Sequence, residues 1–411
     1  MSFVFWKIER TPFIGDMYVT ASTTELTTFQ DPILEMSIAD TKDSFSLKIP
    51  NNNNRFNNYF NLKDKLTIYR AYNTLTTSSS DILMVGAVND IPASSSDKSN
   101  ELQVKGNNYS ETILQAIGFG DVTNKTVPFA IKQLIEEASN MNPNFQVTWD
   151  ASNPLVKSDG TAFPTLTEKN FYTPLYKVIE KYSSFGYTED GSYLWYIDNY
   201  NNFKWFKASD TVSKVFSQET SPHTSIKYKK DLSKIYNFLV VKGGTDPKGR
   251  AIQFNVLDQS SIASKGQKFY YFTEYQNLSQ NINDEDMILA GDVSRQYGRL
   301  PSGILGSSYN FTTSWGTVTT NDVDYVTKFN VYIRNRLRSL ANDFINNYKN
   351  GLLLIDIEVI AGTYDWRLGD YISVTVPFIS DLPKKMRVKD IQYSSTYDTF
   401  SLAEDPGKGT L

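Results

Sequence analysis

Few side chains in this chain have the chemistry to act on a substrate. It has one histidine, His223, and no cysteine, which excludes thiolate nucleophiles, disulfides and Cys- or His-rich zinc sites within one chain. His223 has the chemistry of a general base, but Ser221-Pro222-His223-Thr224 has the composition of a linker. No Gly-x-Ser-x-Gly elbow occurs, so the serine-rich segments read as loops. Asp284-Glu285-Asp286 would cleave a glycoside only with another carboxylate across a cleft. At a helix start such acids stabilise the positive end of the dipole instead. Lys242-Gly243-Gly244-Thr245 lacks the Gly-x-x-x-x-Gly-Lys-[Ser/Thr] order of a phosphate loop and reads as a strand-end turn. Oxygen ligands need neither histidine nor cysteine, so a metal held by a loop stays chemically open. The sequence nevertheless assigns no catalytic, cofactor-binding or metal-binding residue and no cofactor, and the expectation is a protein that is not an enzyme.

Aromatic residues are the other candidates, since they stack on sugars and bases. Tyr193-Leu194-Trp195-Tyr196-Ile197 and Phe203-Lys204-Trp205-Phe206 flank the turn-forming Asp198–Asn202, which reads as a β-hairpin. Alternation puts Tyr193, Trp195 and Ile197 on one face and Leu194 and Tyr196 on the other. Two apolar faces imply burial by the Thr173–Tyr182 helix on one side and a subunit neighbour on the other. A carbohydrate platform is the competing reading. The Asn51–Asn54 run reads as a solvated loop.

Composition narrows the class. A chain of 411 residues with 40% hydrophobic content is long enough for several folded domains. The 14% aromatic share favours strands. With 45 acidic against 41 basic residues the net charge is -4, unlike proteins whose main task is gripping nucleic acid. No apolar run approaches the length of a bilayer span, and the first residues lack the pattern of a signal peptide, so no membrane anchor is expected.

The elements that position these residues are mostly strands. Residues 1–106 read as an all-β unit, a first β-barrel domain, with strands around Ile33–Ile38, Phe45–Ile49, Leu66–Tyr72 and Leu83–Val88. Gly86 within the last marks a bulge or a close backbone approach. Residues 107–222 read as an α+β insert: helices at Ser110–Phe119, from Thr126, and from Thr173 as N-cap with Pro174 at N1, then the aromatic hairpin. Residues 223–244 together with 351–411 read as a second β-barrel domain. Residues 245–350 form a second insert, strand-like to about Asn283, helical over Asp284–Arg299, and ending in a long helix over Asp322–Asn350 that Gly351 closes. The fold class is mainly β with α+β inserts: two similar small β-barrels with inserted helix-containing domains.

The similarity of the two barrels lies in a shared frame. Arg367-Leu368-Gly369-Asp370-Tyr371-Ile372-Ser373-Val374 repeats the Leu-x-Asp-x-aliphatic-hydroxyl-aliphatic order of Asn61-Leu62-Lys63-Asp64-Lys65-Leu66-Thr67-Ile68. Two further strands follow each: Leu83–Ile91 and Glu101–Val104 in the first, Met386–Ile391 and Thr399–Leu402 in the second. Asp64 and Asp370 read as turn formers, and Gly369 as a position of positive φ.

With these parts in place, the order of elements resembles the baseplate hub family of bacteriophage tails, the gp27-like and late-control-D-like hubs. Four segments carry the resemblance: Phe45–Ile91, Thr173–Phe206 with its Phe185-Gly186-Tyr187 turn, Ser233–Gly244, and the long helix leading into Leu368–Ile372. The resemblance implies a homotrimeric ring in the tail baseplate of the virion, made in the host cytoplasm. It implies a tail tube or distal tail protein, a central spike protein and the tape measure protein as partners. DNA would pass through the channel without specific binding. No lysozyme or peptidase module of the kind some hubs carry is expected within these 411 residues. Duplication supplies a reason for the ring: three chains with two barrels each present six units to a sixfold tube, while the inserts are free to form a threefold face. The alternative reading is a β-rich carbohydrate-binding or carbohydrate-cleaving tail protein.

Overall fold

Alternating apolar residues decide most of the architecture. The structure, a computed structural model, describes residues 4–15, 17–38, 43–52, 55–56, 58–72, 81–96, 99–118, 121–141, 146–163, 165–169, 173–185, 193–209, 211–231, 235–245, 251–275, 287–288, 310–313, 316–319, 338, 341–342, 344–346, 348–349, 351–377 and 380–404. By its contacts the chain divides into two units, one of Met1–Lys229 with Leu354–Asp405, the other of Lys230–Leu353 with Pro406–Leu411. The fold is mainly β with few helices, as expected.

In the first unit the strands are β1 (Val4–Thr11), β2 (Gln30–Ser37), β3 (Ser44–Pro50), β4 (Lys65–Tyr72), β5 (Ile82–Asp90) and β6 (Ser99–Asn108). Their inward residues, among them Leu34, Phe45, Leu47, Ile49, Leu66, Ile68, Val88 and Val104, form one buried cluster. Gly86 is a close approach: a Cβ there would lie 2.5 Å from the Asn107 carbonyl oxygen and 2.9 Å from the Phe45 ring. Three helices follow, α1 (Ser110–Gln115), α2 (Val127–Met141) and α3 (Leu175–Phe185). The third begins at Leu175, one residue later than Thr173 as N-cap and Pro174 at N1 suggest. Those residues pair instead as a short strand with Ile117 and Gly118, which likewise cuts α1 short. The aromatic hairpin is β7 (Tyr193–Ile197) and β8 (Asn202–Lys207).

Two strands, β9 (Lys214–Ser217) and β10 (Ser225–Asp231), complete this stretch. In the second unit β11 (Phe238–Thr245) pairs antiparallel with β12 (Ala251–Leu257) and parallel with β13 (Tyr270–Tyr275). Between them lies α4 (Gln259–Lys265), where strand character is expected. Its N-cap is Asp258, whose Oδ1 accepts from Ser261 N–H at 2.8 Å. The segment expected to give the second barrel its early strands is therefore divided: β10 joins the large sheet, whereas β11, among the described residues, pairs only within its own small sheet. Met287–Ile288 forms a strand within Asp284–Arg299. The rest of that segment, and most of Asp322–Asn350, lies outside the described residues. Those described from Arg338 to Tyr348 are helical, with Ala341, Phe344, Ile345 and Tyr348 buried.

The chain then returns to the first unit through β14 (Leu352–Ile360), β15 (Tyr371–Val376), β16 (Ser380–Tyr393) and β17 (Tyr397–Glu404). The large sheet runs β10-β14-β17-β16-β2-β3-β6-β5-β4-β1, with β15 on β16 and β9 parallel to β15. Two runs in it have the same plan. Numbered in chain order, β2-β3-β6-β5-β4 and β10-β14-β17-β16-β15 are both ordered 1-2-5-4-3. The two repeats meet where β16 pairs with β2.

Candidate functional site

The repeats agree atom by atom at their turns. Lys63 N–H donates to Val88 O at 2.7 Å, and Val88 N–H to Asp64 O at 2.9 Å. Gly369 N–H donates to Val388 O and Val388 N–H to Asp370 O, both at 3.0 Å. Each aspartate closes its own turn: Asn61 N–H reaches Asp64 Oδ2 at 2.8 Å, and Arg367 N–H reaches Asp370 Oδ2 at 2.8 Å. Lys63 (φ 70) and Gly369 (φ 84) occupy the same left-handed conformation. One residue past each turn-bonded valine both sheets bulge, between Val88 and Asp90 opposite Gly106 and Lys105, and between Val388 and Asp390.

Beyond the turns the aspartates differ. Asp64 is fully buried and also accepts from Arg10 Nε at 2.6 Å and from Phe13 N–H at 2.9 Å. Asp370 is partly exposed, 3.2 Å from Lys214 Nζ.

Cross-strand register places one continuous polar face over both repeats. It carries the carboxylates of Glu35, Asp90, Glu101, Asp356, Glu358 and Asp390 together with the cationic side chains of Lys48, Lys65, Lys105, Lys385 and Arg387. Its side chains bond along the face: Gln392 Nε2 to Glu35 at 3.0 Å, Ser44 Oγ to Glu35 at 3.2 Å, Gln103 Nε2 to Ser46 at 2.9 Å, and Ser401 Oγ to Asp356 at 2.6 Å. A hollow of about 380 Å³ lies on this face, lined by residues that include Glu35, Asp90, Lys105 and Gln392. The opposite face is apolar, with Phe45, Leu47, Ile355, Ile357, Phe400 and Leu402 buried. The face is polar and carries charges of both signs, with no basic excess to grip phosphates.

Two buried polar clusters fix the junction of the repeats. Ser37 Oγ donates to Asp390 across it, and Ser37 N–H donates to Asp43 Oδ1 at 2.7 Å. Burial pushes the Asp43 carboxyl up to about 8; the bonds from Ser37 and Asn108 oppose the rise and the Asp390 charge adds to it. In the second cluster Arg70 of β4 reaches Asp398 of β17 at 2.5 Å and Ser394 O at 3.3 Å. Its guanidinium lies over the rings of Tyr393, Tyr72 and Trp6. Burial raises the Asp398 carboxyl, with Arg70 opposing it. Neither cluster figures among the residues singled out from the sequence. The signal for Arg70 was its parity: Leu66, Ile68 and Arg70 alternate inward on one strand.

His223 lies exposed in a loop, with Nδ1 2.9 Å from Ser221 O. Lys242–Thr245 forms the end of β11, and Asp284-Glu285-Asp286 falls outside the described residues. Among the described residues no group of three or more His, Asp or Glu is placed to hold a metal ion. Asn51 is buried, its Oδ1 accepting from Phe56 N–H at 2.8 Å. In the aromatic hairpin Tyr193, Trp195, Phe203 and Trp205 are buried with residues of α2 and α3. On the other face this chain itself covers Phe206: a Cβ on Gly369 would lie 2.9 Å from its ring.

No protein-family model and no curated protein sequence matches this chain. Solved structures do. A tail protein from Neisseria meningitidis MC58 aligns at 10% identity over 97% of each chain, with a TM-score of 0.57. The 43 kDa tail protein of prophage MuSo2 from Shewanella oneidensis aligns at 11% identity over 98% of this chain and 99% of its own, TM-score 0.56. Prophage tail protein gp18 from Listeria monocytogenes EGD-e gives 10% identity, 98% and 95% coverage, and a TM-score of 0.51. Across nearly its whole length, the chain has the fold of these tail proteins.

Proposed function

We propose that this chain is a structural, non-enzymatic component of a phage or phage-like tail, the baseplate hub. Three copies form a ring that adapts a sixfold tail tube to a threefold central spike. The observation that carries this reading is the duplication: two strand sets of the same 1-2-5-4-3 order, with the same turn and bulge, side by side in one sheet. Three such chains present six similar units, which removes the symmetry mismatch at a sixfold partner. The fold shared with tail proteins supports the setting.

The polar face suits a channel lining. Its carboxylates are interspersed with cationic side chains and leave no basic excess, so DNA would slide past without being held. The barrels would contact the tube or distal tail protein, and residues 107–222 and 245–350 the spike and the tape measure protein. The place of action is the tail baseplate of the virion, after synthesis in the host cytoplasm.

Light scattering followed by negative-stain imaging tests the reading. The expected result is three times the chain mass and threefold rings with a central hole wide enough for duplex DNA. A particle of one-chain mass, both alone and with its tube and spike partners, would overturn it.

A further inference from the structure

Each repeat leaves open the edge that the other would fill. In the second repeat, Asp390–Tyr393 follow the bulge of β16 and pair with β2, Asp390 opposite Ser37 and Tyr393 opposite Leu34. The corresponding residues of the first repeat are Asp90, Ile91 and Pro92. They run beside β6, with Asp90 opposite Lys105 and Gln103 N–H donating to Pro92 O at 2.9 Å. On their other side no described strand pairs with them. At the far end of the sheet β10, the counterpart of β2, pairs with β14 and with no other described strand.

We propose that β10 of one copy of the chain adds to the sheet along Asn89–Pro92 of the next, as β2 adds along Lys389–Gln392 within a chain. The inference rests on the ring reading and names the surface that would close it. Junctions within and between chains would then alternate around the ring.

Backbone direction permits this pairing. Ile38 N–H donates to Lys389 O at 3.0 Å, so the backbone groups of residues 389 and 391 face β2. Their counterparts Asn89 and Ile91 both carry an amide hydrogen. Pro92, which has none, corresponds to 392, and its carbonyl faces β6. The proline thus costs the proposed junction no hydrogen bond.

Charge favours it as well. Lys227, Lys229 and Lys230 are exposed on β10, and Asp90 is exposed on the segment they would meet. An exposed edge strand is a template for pairing with another chain. Lysines on an edge also serve to block such pairing, and experiment separates the two roles.

The absence of native cysteine makes paired cysteines unambiguous reporters. Asp90→Cys would be combined in turn with a cysteine at Lys227, Tyr228, Lys229 or Lys230. Ser37→Cys with Asp390→Cys is the control, a non-hydrogen-bonded pair whose Cα atoms, ~4.5 Å apart in such pairs, fall within the range of a disulfide. On oxidation the control should close within one chain, and one of the four pairs should yield two-chain and three-chain species. Charge reversal provides the second reading. Asp90→Lys should reduce the three-chain mass to one chain with the circular dichroism spectrum unchanged, and Lys227→Glu, Lys229→Glu and Lys230→Glu together should restore it. A trimer that cross-links at none of the four pairs and ignores Asp90→Lys overturns this junction while leaving the ring intact. A one-chain mass under every condition overturns both.

Discussion

At the turns, one backbone shape is built from different residues, and the differences set what each substitution should cost. Gly369 has φ 84, and its missing Cβ would lie 2.9 Å from the Phe206 ring. Gly369→Val should therefore destabilise by roughly 2–4 kcal/mol, from the left-handed backbone and the overpacked ring. Lys63 occupies the same conformation at φ 70 with an exposed side chain. Lys63→Gly should leave stability unchanged or raise it by up to about 1 kcal/mol, because relief of backbone strain slightly exceeds the added chain entropy. Urea midpoints of the two variants check this, and a loss in Lys63→Gly comparable to that in Gly369→Val would refute it. The paired aspartates should separate in the same way. Asp370→Asn keeps an oxygen for Arg367 N–H and loses only a partly exposed ion pair, about 0–1 kcal/mol. Asp64→Asn leaves the Arg10 guanidinium without its charge partner in a buried site, about 3–5 kcal/mol. Equal losses would mean that the environment of Asp64 is not what distinguishes it.

For the strands and helices, the pairing β16–β2 is the contact on which the arrangement of repeats depends, and a titrating group sits beneath it. Asp43 supports Ser37, and burial raises its carboxyl to about 8. The unfolded chain titrates it near ~3.9. The folded state therefore holds a proton that the unfolded state has lost between about pH 4 and pH 8. This contribution to stability is full below pH 4 and is lost as pH rises through 8, by up to about 1.4 kcal/mol per unit. Melting temperatures from pH 5 to pH 8 should fall more steeply in the wild type than in Asp43→Asn; identical slopes would remove Asp43 as the cause. Element type followed periodicity where a segment had one clear neighbour. In β4 the alternation of Leu66, Ile68 and Arg70 and in α2 the spacing of Ile131, Leu134, Ile135 and Ala138 match the buried faces found. It failed where a short segment had two options. Thr173-Pro174 has the composition of a helix start but pairs with Ile117–Gly118. Gln259–Lys265 sits in a strand-like stretch, but the Asp258 cap and the left-handed Gly266 hold it helical.

Over the whole molecule, the sequence by itself determined the mainly β class, the absence of thiol chemistry, and the echo between Asn61–Ile68 and Arg367–Val374. These are local properties: composition, alternation and turn residues act within a few positions of one another. Only tertiary structure decided that Asn61–Ile68 and Arg367–Val374 belong to two strand sets of identical order, that β10 rather than β11 supplies the first strand of the second set, and that the two sets join at β16 and β2. Strand order depends on which edges meet across hundreds of residues, and alternation is the same for every partner. The same holds for Arg70 and Asp398, 328 positions apart and joined in one buried pair. The sequence shows an arginine at an inward position. Its counter-charge exists only once the second repeat has folded against the first.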